Sequence, residues 1–285
     1  MLTILLHTFQ TQNCLNALDS ETAIVLLHGF GTSSKNMNNI EALIRQDLPD
    51  RHVVNLDILF GMFSSIFESP ERYGRAAATK IQQLTQGYKC IDIISHSQGS
   101  FVARQYIQFF ASSQDVYPNV RSFVSLAGVL NGMYCKSNCP TGLMNVLDPL
   151  INQKSKSQLL VPSGYWRTDF TPNILCKLNG GCGANQSTIN AFQNINLVLL
   201  HSLKDEILVP RATGHFGYLK NGAEVPIEQL DEFKLLSLNE LKENCRLKII
   251  EFKEFKHNDF VRNGAQKTWD CFKGEISGLQ SECIE

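Results

Sequence analysis

The sequence predicts an α/β fold in which a mainly parallel central sheet is flanked by helices. Short apolar, β-rich runs alternate with longer segments of helical periodicity, which is the pattern of βαβ units. Two of these runs end in loops that contain glycine, at positions 28–31 and 95–99. With 285 residues, of which 43% are hydrophobic, the chain is long enough to bury one large core of this class.

The overall composition excludes several kinds of partner. The formal net charge is −1, charged residues make up 19% of the chain, and the sequence has no basic stripe, so we expect no nucleic-acid partner. The sequence also has no apolar run of 18 residues that could span a bilayer, and no internal repeat. The chain therefore has the composition of a globular domain without a transmembrane segment.

The stretch from Ile91 to Phe101 predicts a sharp turn from a strand into a helix. An apolar run at residues 91–94 ends at small residues, and apolar side chains then recur at helical spacing. A strand that enters a helix around x-Ser-x-Gly is a nucleophile elbow, which lifts Ser97 above the sheet. Ser95 stands where the usual pattern has a glycine. The alternative is a simple connection whose serines cap the helix.

The other elements follow in a regular order along the chain. Strands are predicted at residues 23–27, 52–56, 120–126, 196–200 and 247–252, and helices at residues 36–48 and 71–84. Residues 128–195 interrupt this alternation and are too long for an ordinary connection between strands. We therefore predict that they form a cap inserted over the active site.

A second glycine-containing loop follows the first strand. Residues 28–31, His-Gly-Phe-Gly, match the loop that supplies an oxyanion N–H group in α/β-hydrolases. Its glycines allow the backbone to approach a substrate carbonyl closely. We expect the backbone N–H groups of Phe30 and Gln98 to form the oxyanion hole. A single loop of this kind is often an ordinary turn, but two such loops, each after a strand, rarely arise by accident.

The acid and the base follow in the chain order of an α/β-hydrolase triad. Asp205 comes directly after a predicted strand, at the sheet edge where ligands gather, and Glu206 is the alternative acid. His257 is the only histidine after the final strand. Together with Ser97 these residues give the order Ser, Asp, His. The competing candidates for the base are His201 and His215.

The apolar loop, residues 59–67, has more large hydrophobic side chains than an ordinary loop. One interpretation is an amphipathic turn that packs on the core. The other is a tunnel for a hydrocarbon chain, because ligand pockets are lined mostly by apolar side chains. Under the second interpretation we assign substrate binding to Phe60 and Phe63, together with Tyr165 and Trp166 of the cap.

Nine cysteines indicate an oxidising compartment. The candidates for disulfides are Cys135, Cys139, Cys176, Cys182, Cys245 and Cys271. The close pairs are separated by three and by five residues and have no neighbouring histidine, whereas zinc knuckles use C-x2-C. We therefore predict disulfides and no metal site, and we leave the pairing open. The odd number of cysteines leaves at least one thiol free.

The N-terminus and one sequon also bear on the compartment. Residues 185–187, Asn-Gln-Ser, form a glycosylation sequon at Asn185. The N-terminal apolar segment is short and no Lys or Arg precedes it, which makes a weak signal peptide. Because the first strand need not begin before about residue 22, we expect residues 1–16 to be a cleaved leader or a frayed terminus. Residues 17–285 then form a single domain.

Taken together, these segments resemble those of a palmitoyl-protein thioesterase. The resemblance rests on residues 27–31 (LHGFG), 95–99 (SHSQG), 126–128 (LAG), 163–166 (SGYW), 205–210 (DEILVP), 215–218 (HFGY) and on His257. It covers most of residues 22–272. The chain departs from the family pattern at residues 32–34, Thr-Ser-Ser, where members commonly have an Asp and cysteines, and at Ser95.

The resemblance implies a lysosomal or secreted, disulfide-bonded glycoprotein that hydrolyses long-chain fatty acyl thioesters without a cofactor. Its substrates would be S-acylated proteins or acyl-CoA, with Ser97, Asp205 and His257 as the triad and Phe30 and Gln98 at the oxyanion hole. One alternative is a lipase or carboxylesterase that acts on oxygen esters. Another is a non-catalytic lipid-binding protein. The oligomeric state stays open.

Overall fold

A six-stranded parallel sheet forms the centre of the protein, in a computed structural model that describes residues 14–111, 116–134, 151, 159–167 and 173–277. The strands are β1 Thr22–Leu27, β2 Val53–Leu56, β3 Cys90–His96, β4 Asn119–Leu126, β5 Asn196–Ser202, β6 Tyr218–Lys220, β7 Ala223–Val225 and β8 Leu247–Phe252. The sheet has the order β2-β1-β3-β4-β5-β8, and β6 and β7 form a separate antiparallel hairpin. The parallel α/β architecture predicted from the sequence is confirmed.

Helices connect these strands. They are α1 Asn38–Asp47, α2 Pro70–Leu84, α3 Gln98–Gln105, α4 Ile174–Leu178, α5 Gln186–Ile189, α6 Glu232–Leu235, α7 Leu238–Glu243 and α8 Ala265–Ile276. The local sequence explains the start of α2, because the Ser69 side chain accepts a hydrogen bond from the N–H of Arg72 and Pro70 occupies the first turn. Within the described ranges, no helix is both long and apolar enough to cross a bilayer.

Both faces of the sheet are buried under helices. In β1, Ile24 and Leu26 belong to one core cluster, together with residues of α1 and α8. The alternate residue Val25 belongs to the cluster that contains residues of α2 and α3. Because successive side chains of a strand point to opposite faces, a strand covered on both sides is apolar throughout. This explains why the predicted strands are continuous apolar runs.

The chain between β4 and β5 adds no strand to the central sheet within its described parts, which are residues 128–134, 151, 159–167 and 173–195. Residues 159–167 lie against the N-terminal ends of α2 and α3. A Cβ atom on Gly164 would lie 2.6 Å from Cβ of Pro70, and the rings of Phe101 and Tyr165 are 5.2 Å apart. This segment therefore lies beside the turn between β3 and α3.

A disulfide that the sequence analysis missed joins Cys14 to Cys90, at the start of β3. Cys14 is 1% exposed and begins a short helical turn, Cys14–Asn16. Residues 14–16 therefore belong to the folded domain, whereas the sequence analysis placed them in the leader. The two cysteines are separated by 76 positions, and no local pattern indicates such a pairing. The remainder of the predicted leader, residues 1–13, lies outside the described residues.

The cysteines predicted to form disulfides have different outcomes. Cys176 and Cys182 are joined, as their positions around a glycine-rich loop suggested. Cys245 is also disulfide-bonded. Cys271 is a free thiol, so its prediction is wrong. Cys135 and Cys139 lie outside the described residues.

A buried ion cluster joins the sheet to the last helix. The carboxylate of Asp92 in β3 is fully buried and accepts hydrogen bonds from Arg121 at 2.9 and 2.6 Å and from Arg51 at 2.8 Å. Both arginines also donate to the carbonyl oxygen of Ile276, at the end of α8. Asp19 pairs with the same two arginines, which balances their charge. Removing one member of such a cluster leaves buried charge uncompensated.

We expect Asp92→Asn to lower the free energy of unfolding by about 3–5 kcal/mol, because two buried guanidinium groups lose their shared partner. Urea denaturation measures this change. The control is Lys204→Met, which breaks the exposed pair between Lys204 and Glu254 and should change stability by less than about 0.5 kcal/mol. Equal losses in the two variants would contradict the assigned role of the cluster.

Candidate active site

Ser97 lies in the sharp turn that the sequence predicts between β3 and α3. Its backbone has φ +56° and ψ −123°, a conformation that non-glycine residues seldom adopt. Close approach of the backbone explains the glycine that follows, since a Cβ atom on Gly99 would lie 2.5 Å from the carbonyl oxygen of Leu27. Gly29 is similarly confined, because its Cβ would lie 2.9 Å from Cβ of Ser97. The first strand therefore packs directly against this turn.

The serine that replaces the usual elbow glycine is accommodated by other hydroxyl groups. Ser95 is fully buried, and its Oγ lies 2.8 Å from Oγ of Ser100 in α3. Ser125 in β4 donates a hydrogen bond to the same Ser100 oxygen at 2.9 Å. Because each hydroxyl has a partner, the extra polar atom at position 95 carries no penalty of an unsatisfied buried group.

The structure brings Asp205 and His257 together. Oδ2 of Asp205 lies 2.8 Å from Nδ1 of His257, and both side chains are buried. Oδ1 of Asp205 accepts hydrogen bonds from the N–H groups of Ile207 and Leu208, at 2.8 and 2.9 Å. Burial opposes ionisation, but the hydrogen bond from His257, its charge and these N–H groups outweigh it, so the pKa of Asp205 lies below its ordinary value. The ionised carboxylate only accepts, so Nδ1 carries the proton and Nε2 is free to act as a base.

Glu206, the alternative acid, has a different position. Its Oε2 accepts a hydrogen bond from the backbone N–H of His257 at 3.0 Å, and the imidazole ring contacts Asp205 instead. The two neighbouring carboxylates therefore hold the backbone and the ring of the same histidine. From the sequence, Glu206 is predicted only as an alternative to Asp205.

Among the residues that the structure describes, His96, directly before Ser97, connects the elbow to His257. The two rings have centroids 4.8 Å apart, and Nε2 of His96 donates to the carbonyl oxygen of His257 at 3.0 Å. Burial, reinforced by the neighbouring His257 ring, lowers the pKa of His96 to about 3. The ring is therefore neutral at ordinary pH. Within the described residues Ser97 and His257 form no direct hydrogen bond.

The H-G-F-G loop, residues 28–31, ends beside Ser97. Thr32 donates to the carbonyl oxygen of Gly29 at 2.9 Å, and the N–H of Gly31 donates to Oγ of Ser65 at 2.9 Å. No hydrogen bond from the N–H groups of Phe30 and Gln98 is formed within the part of the chain that the structure describes. These two donors are therefore available for a ligand.

Asp57, directly after β2, holds the segment that follows this loop. Both the N–H and the hydroxyl of Ser34 donate to the Asp57 carboxylate, at 2.6 and 2.9 Å. Nζ of Lys80 donates to the Asp57 carbonyl oxygen at 2.6 Å. The end of β2 therefore holds the segment that follows the loop.

The four predicted substrate-binding side chains divide into two pairs. Phe60 and Phe63 of the apolar loop are 83% and 61% exposed, so they do not line an enclosed tunnel. Tyr165 and Trp166 are both 2% exposed, and the Tyr165 hydroxyl donates to Oε1 of Gln98 at 2.9 Å. The second pair therefore belongs to the hydrophobic core, and Tyr165 contacts the residue that follows Ser97.

The two competing histidines form a pair of their own. The rings of His201 and His215 are 4.2 Å apart, and Nε2 of His201 lies 4.0 Å from Oε2 of Glu251. Neither ring is paired with Asp205, which contacts His257. Among the described residues, no group of three or more His, Cys, Asp or Glu side chains is arranged to hold a metal ion.

Asn185 of the sequon is exposed at the start of α5. Its Oδ1 accepts a hydrogen bond from the N–H of Thr188 at 2.8 Å, and so caps the helix.

Two residues near Ser97 were missed in the sequence analysis. His96 was passed over as the variable position of the elbow, although its place next to Ser97 was visible. Ser65 was passed over inside an apolar stretch, where two successive serines, Ser64 and Ser65, were the available signal. Buried serines need hydrogen-bond partners, and only the folded chain identifies them.

Comparison with known proteins gives one consistent family. A model of the family described as palmitoyl protein thioesterase matches residues 23–257. Palmitoyl-protein thioesterase 3 of Dictyostelium discoideum is 26% identical, and the match covers 79% of this chain and 81% of that protein. Lysosomal thioesterase PPT2-B of Xenopus laevis is 24% identical, with 76% and 80% covered.

Solved structures show the same fold at low sequence identity. An extracellular α/β-hydrolase from a Paenibacillus species has a TM-score of 0.53 at 12% identity, with 88% of this chain and 98% of that chain covered. A monoacylglycerol lipase of Paleococcus ferrophilus has a TM-score of 0.50 at 15% identity, with 92% and 96% covered. The fold is therefore that of the α/β-hydrolases.

We expect His96→Gln to weaken the acid dependence of stability. As the pH falls below 6.5, the unfolded chain binds a proton at His96 that the folded chain does not bind until about pH 3, so wild-type stability falls with pH over this range. A Gln amide can still donate to the His257 carbonyl but does not titrate. Between pH 7 and pH 5, the wild type should lose about 2 kcal/mol more than the variant in urea denaturation. Parallel losses would contradict the neutral state of His96.

Proposed function

This chain belongs to the palmitoyl protein thioesterase family and is an enzyme of that type, and from this premise we propose that it hydrolyses long-chain fatty acyl thioesters at Ser97. The observation that carries the proposal is the buried pair of Asp205 and His257, whose ring lies beside the elbow. An ionised acid, an oriented imidazole and a serine in a strained turn are the parts that acyl transfer through a serine needs.

In the first step Ser97 attacks the thioester carbonyl carbon. Nε2 of His257 takes the hydroxyl proton as the bond from Oγ to carbon forms, and Asp205 stabilises the resulting imidazolium. The tetrahedral intermediate then collapses, the carbon–sulfur bond breaks, and the thiol leaves with the proton that His257 returns. Because a thiolate is a good leaving group, this return contributes less than it does for an amide.

In the second step water releases the fatty acid. His257 takes a proton from the water as its oxygen attacks the acyl carbon, and the proton passes to Oγ of Ser97 as the ester bond breaks. The enzyme returns to its starting state. No cofactor takes part in either half of this cycle.

The backbone N–H groups of Phe30 and Gln98 stabilise the negative oxygen in both steps. Each donor of this kind contributes roughly 2.7–4 kcal/mol to the transition state, because it is already oriented in a site that excludes water. The N-terminus of α3 adds its positive dipole at the same place. We assign the larger share of catalysis to this stabilisation.

The substrates are S-acylated proteins or acyl-CoA in a lumenal compartment. The lysosomal name of the Xenopus laevis relative supports that location, as do the disulfide between Cys14 and Cys90 and the exposed sequon at Asn185. A hydrocarbon chain is recognised by burial, at about 0.8 kcal/mol per CH₂ group, so preference for long chains follows from the length of the apolar surface that the site offers.

Ser97→Ala should lower kcat for palmitoyl thioester hydrolysis at least about 10⁴-fold while leaving the melting temperature nearly unchanged, since the hydroxyl supplies the nucleophile. His257→Gln should cause a loss of similar size. The matched control is His201→Gln, which changes a buried histidine outside the proposed triad and should retain turnover. Substantial turnover by Ser97→Ala, or a larger loss in His201→Gln than in His257→Gln, would contradict the assignment.

Matched palmitoyl thioester and oxyester substrates separate a thioesterase from a lipase or carboxylesterase. We expect the higher kcat/KM for the thioester; a higher value for the oxyester would replace the proposed substrate class.

Labelling of Ser97 by a fluorophosphonate tests the non-catalytic alternative, which predicts no labelling. Rates on a palmitoylated peptide and on palmitoyl-CoA then identify the preferred acyl carrier.

A further inference from the structure

The apolar loop has its polar side turned inward. Its phenylalanines are exposed, whereas Ser64 and Ser65 are 2% and 0% exposed. The Ser64 hydroxyl accepts a hydrogen bond from the N–H of Phe60 at 3.0 Å, a contact within the loop. The Ser65 hydroxyl donates to the carbonyl oxygen of Met62 at 2.7 Å and has contacts beyond the loop as well. The hydrogen bond of the Ser64 hydroxyl therefore stays within the apolar loop, whereas the Ser65 hydroxyl also bonds to a residue outside it.

Ser65 is hydrogen-bonded to both loops that carry the proposed oxyanion donors. Its Oγ accepts from the N–H of Gly31 at 2.9 Å, which fixes the peptide directly after Phe30. Its carbonyl oxygen accepts from Nε2 of Gln98 at 2.8 Å. The same Gln98 side chain accepts at Oε1 from the Tyr165 hydroxyl at 2.9 Å, so both ends of its amide are held.

The geometry points to Ser65 as a positioning residue that sets the separation and direction of the two oxyanion N–H groups. This inference rests on the proposed function, because it assigns a supporting residue to the same site. Phe30 and Gly31 lie in a turn outside the helices and strands, so no regular element holds the peptide bond between them, and the Ser65 hydroxyl supplies that constraint. Oxyanion stabilisation depends on donors that are oriented before the reaction, so a freed peptide reduces it.

The direction of each hydrogen bond makes the assignment specific. The single hydroxyl hydrogen of Ser65 is donated to Met62, so its oxygen is left to accept from Gly31. An Ala at position 65 removes the Gly31 contact but retains the carbonyl contact to Gln98. It also removes the contact to Met62 within the apolar loop, so its effect reports on the two hydroxyl contacts and not on the Gln98 contact.

The test compares Ser65→Ala with Ser64→Ala, a buried serine of the same loop that touches neither oxyanion loop. In Ser65→Ala we expect kcat to fall about 10-fold to 100-fold with KM nearly unchanged, less than the loss on removing a donor outright. Affinity for a palmitoyl trifluoromethyl ketone, which forms a tetrahedral adduct, should fall by the same factor, whereas affinity for palmitate should not change.

Ser64→Ala should match the wild type, and Ser65→Thr should restore most of the activity. If Ser65→Ala does not fold, Ser65→Cys fills the same volume with a much weaker acceptor and takes its place.

Equal kcat values for the two alanine variants, or equal losses of ketone and palmitate affinity in Ser65→Ala, would overturn the inference. The rate of Ser97 labelling by a fluorophosphonate distinguishes this result from failure of the proposed function, since labelling needs the same oxyanion donors and no thioester. Wild-type protein that is labelled, with slower labelling of Ser65→Ala, supports the inference whatever ester the enzyme prefers. Equal labelling rates in wild type and Ser65→Ala overturn the inference alone, and absence of labelling in the wild type overturns both.

Discussion

The close approach of β1 to the turn after β3 is the constraint on which the candidate site depends. At Gly29 and Gly99 a single added carbon would collide with the opposing chain, at 2.9 and 2.5 Å. This contact forces Ser97 into a left-handed backbone conformation and brings the H-G-F-G loop beside it. Strain of about 1–3 kcal/mol at such a residue persists only when the surrounding structure fixes it, and here the parallel pairing of β1, β3 and β4 does so.

Three charged or titratable groups in the interior, Asp92, Asp205 and His96, have partners that the fold supplies. Asp92, near the start of β3, is neutralised by two arginines from other elements. Asp205 stays ionised because His257 and two backbone N–H groups hold its carboxylate. His96 stays neutral and contacts the backbone of His257. One strand therefore carries a structural carboxylate at one end and the proposed catalytic serine just beyond the other.

Segments distant in sequence meet at the side chain of Gln98. Its amide is hydrogen-bonded to Ser65 of the apolar loop and to Tyr165 of the segment between β4 and β5. Gln98 is also the first residue of α3. The turn between β3 and α3 therefore does not fix the residue after Ser97 alone, since two connections outside the sheet also hold its side chain. In this way the segment between β4 and β5 contacts the candidate site, although its described residues add no strand to the central sheet.

The sequence by itself determined the parallel α/β class, the elbow and the H-G-F-G loop, because each is recorded in residues adjacent along the chain. It also gave the order of Ser97, Asp205 and His257, because each of these residues follows a predicted strand. Tertiary structure alone decided that Asp205 and not Glu206 meets the ring, that Cys14 pairs with Cys90 while Cys271 stays free, and that Phe60 is exposed while Ser65 is buried. Each of these outcomes depends on which strands and loops become neighbours. Local periodicity sets the type of an element, but contacts between distant residues arise only when the sheet order brings them together.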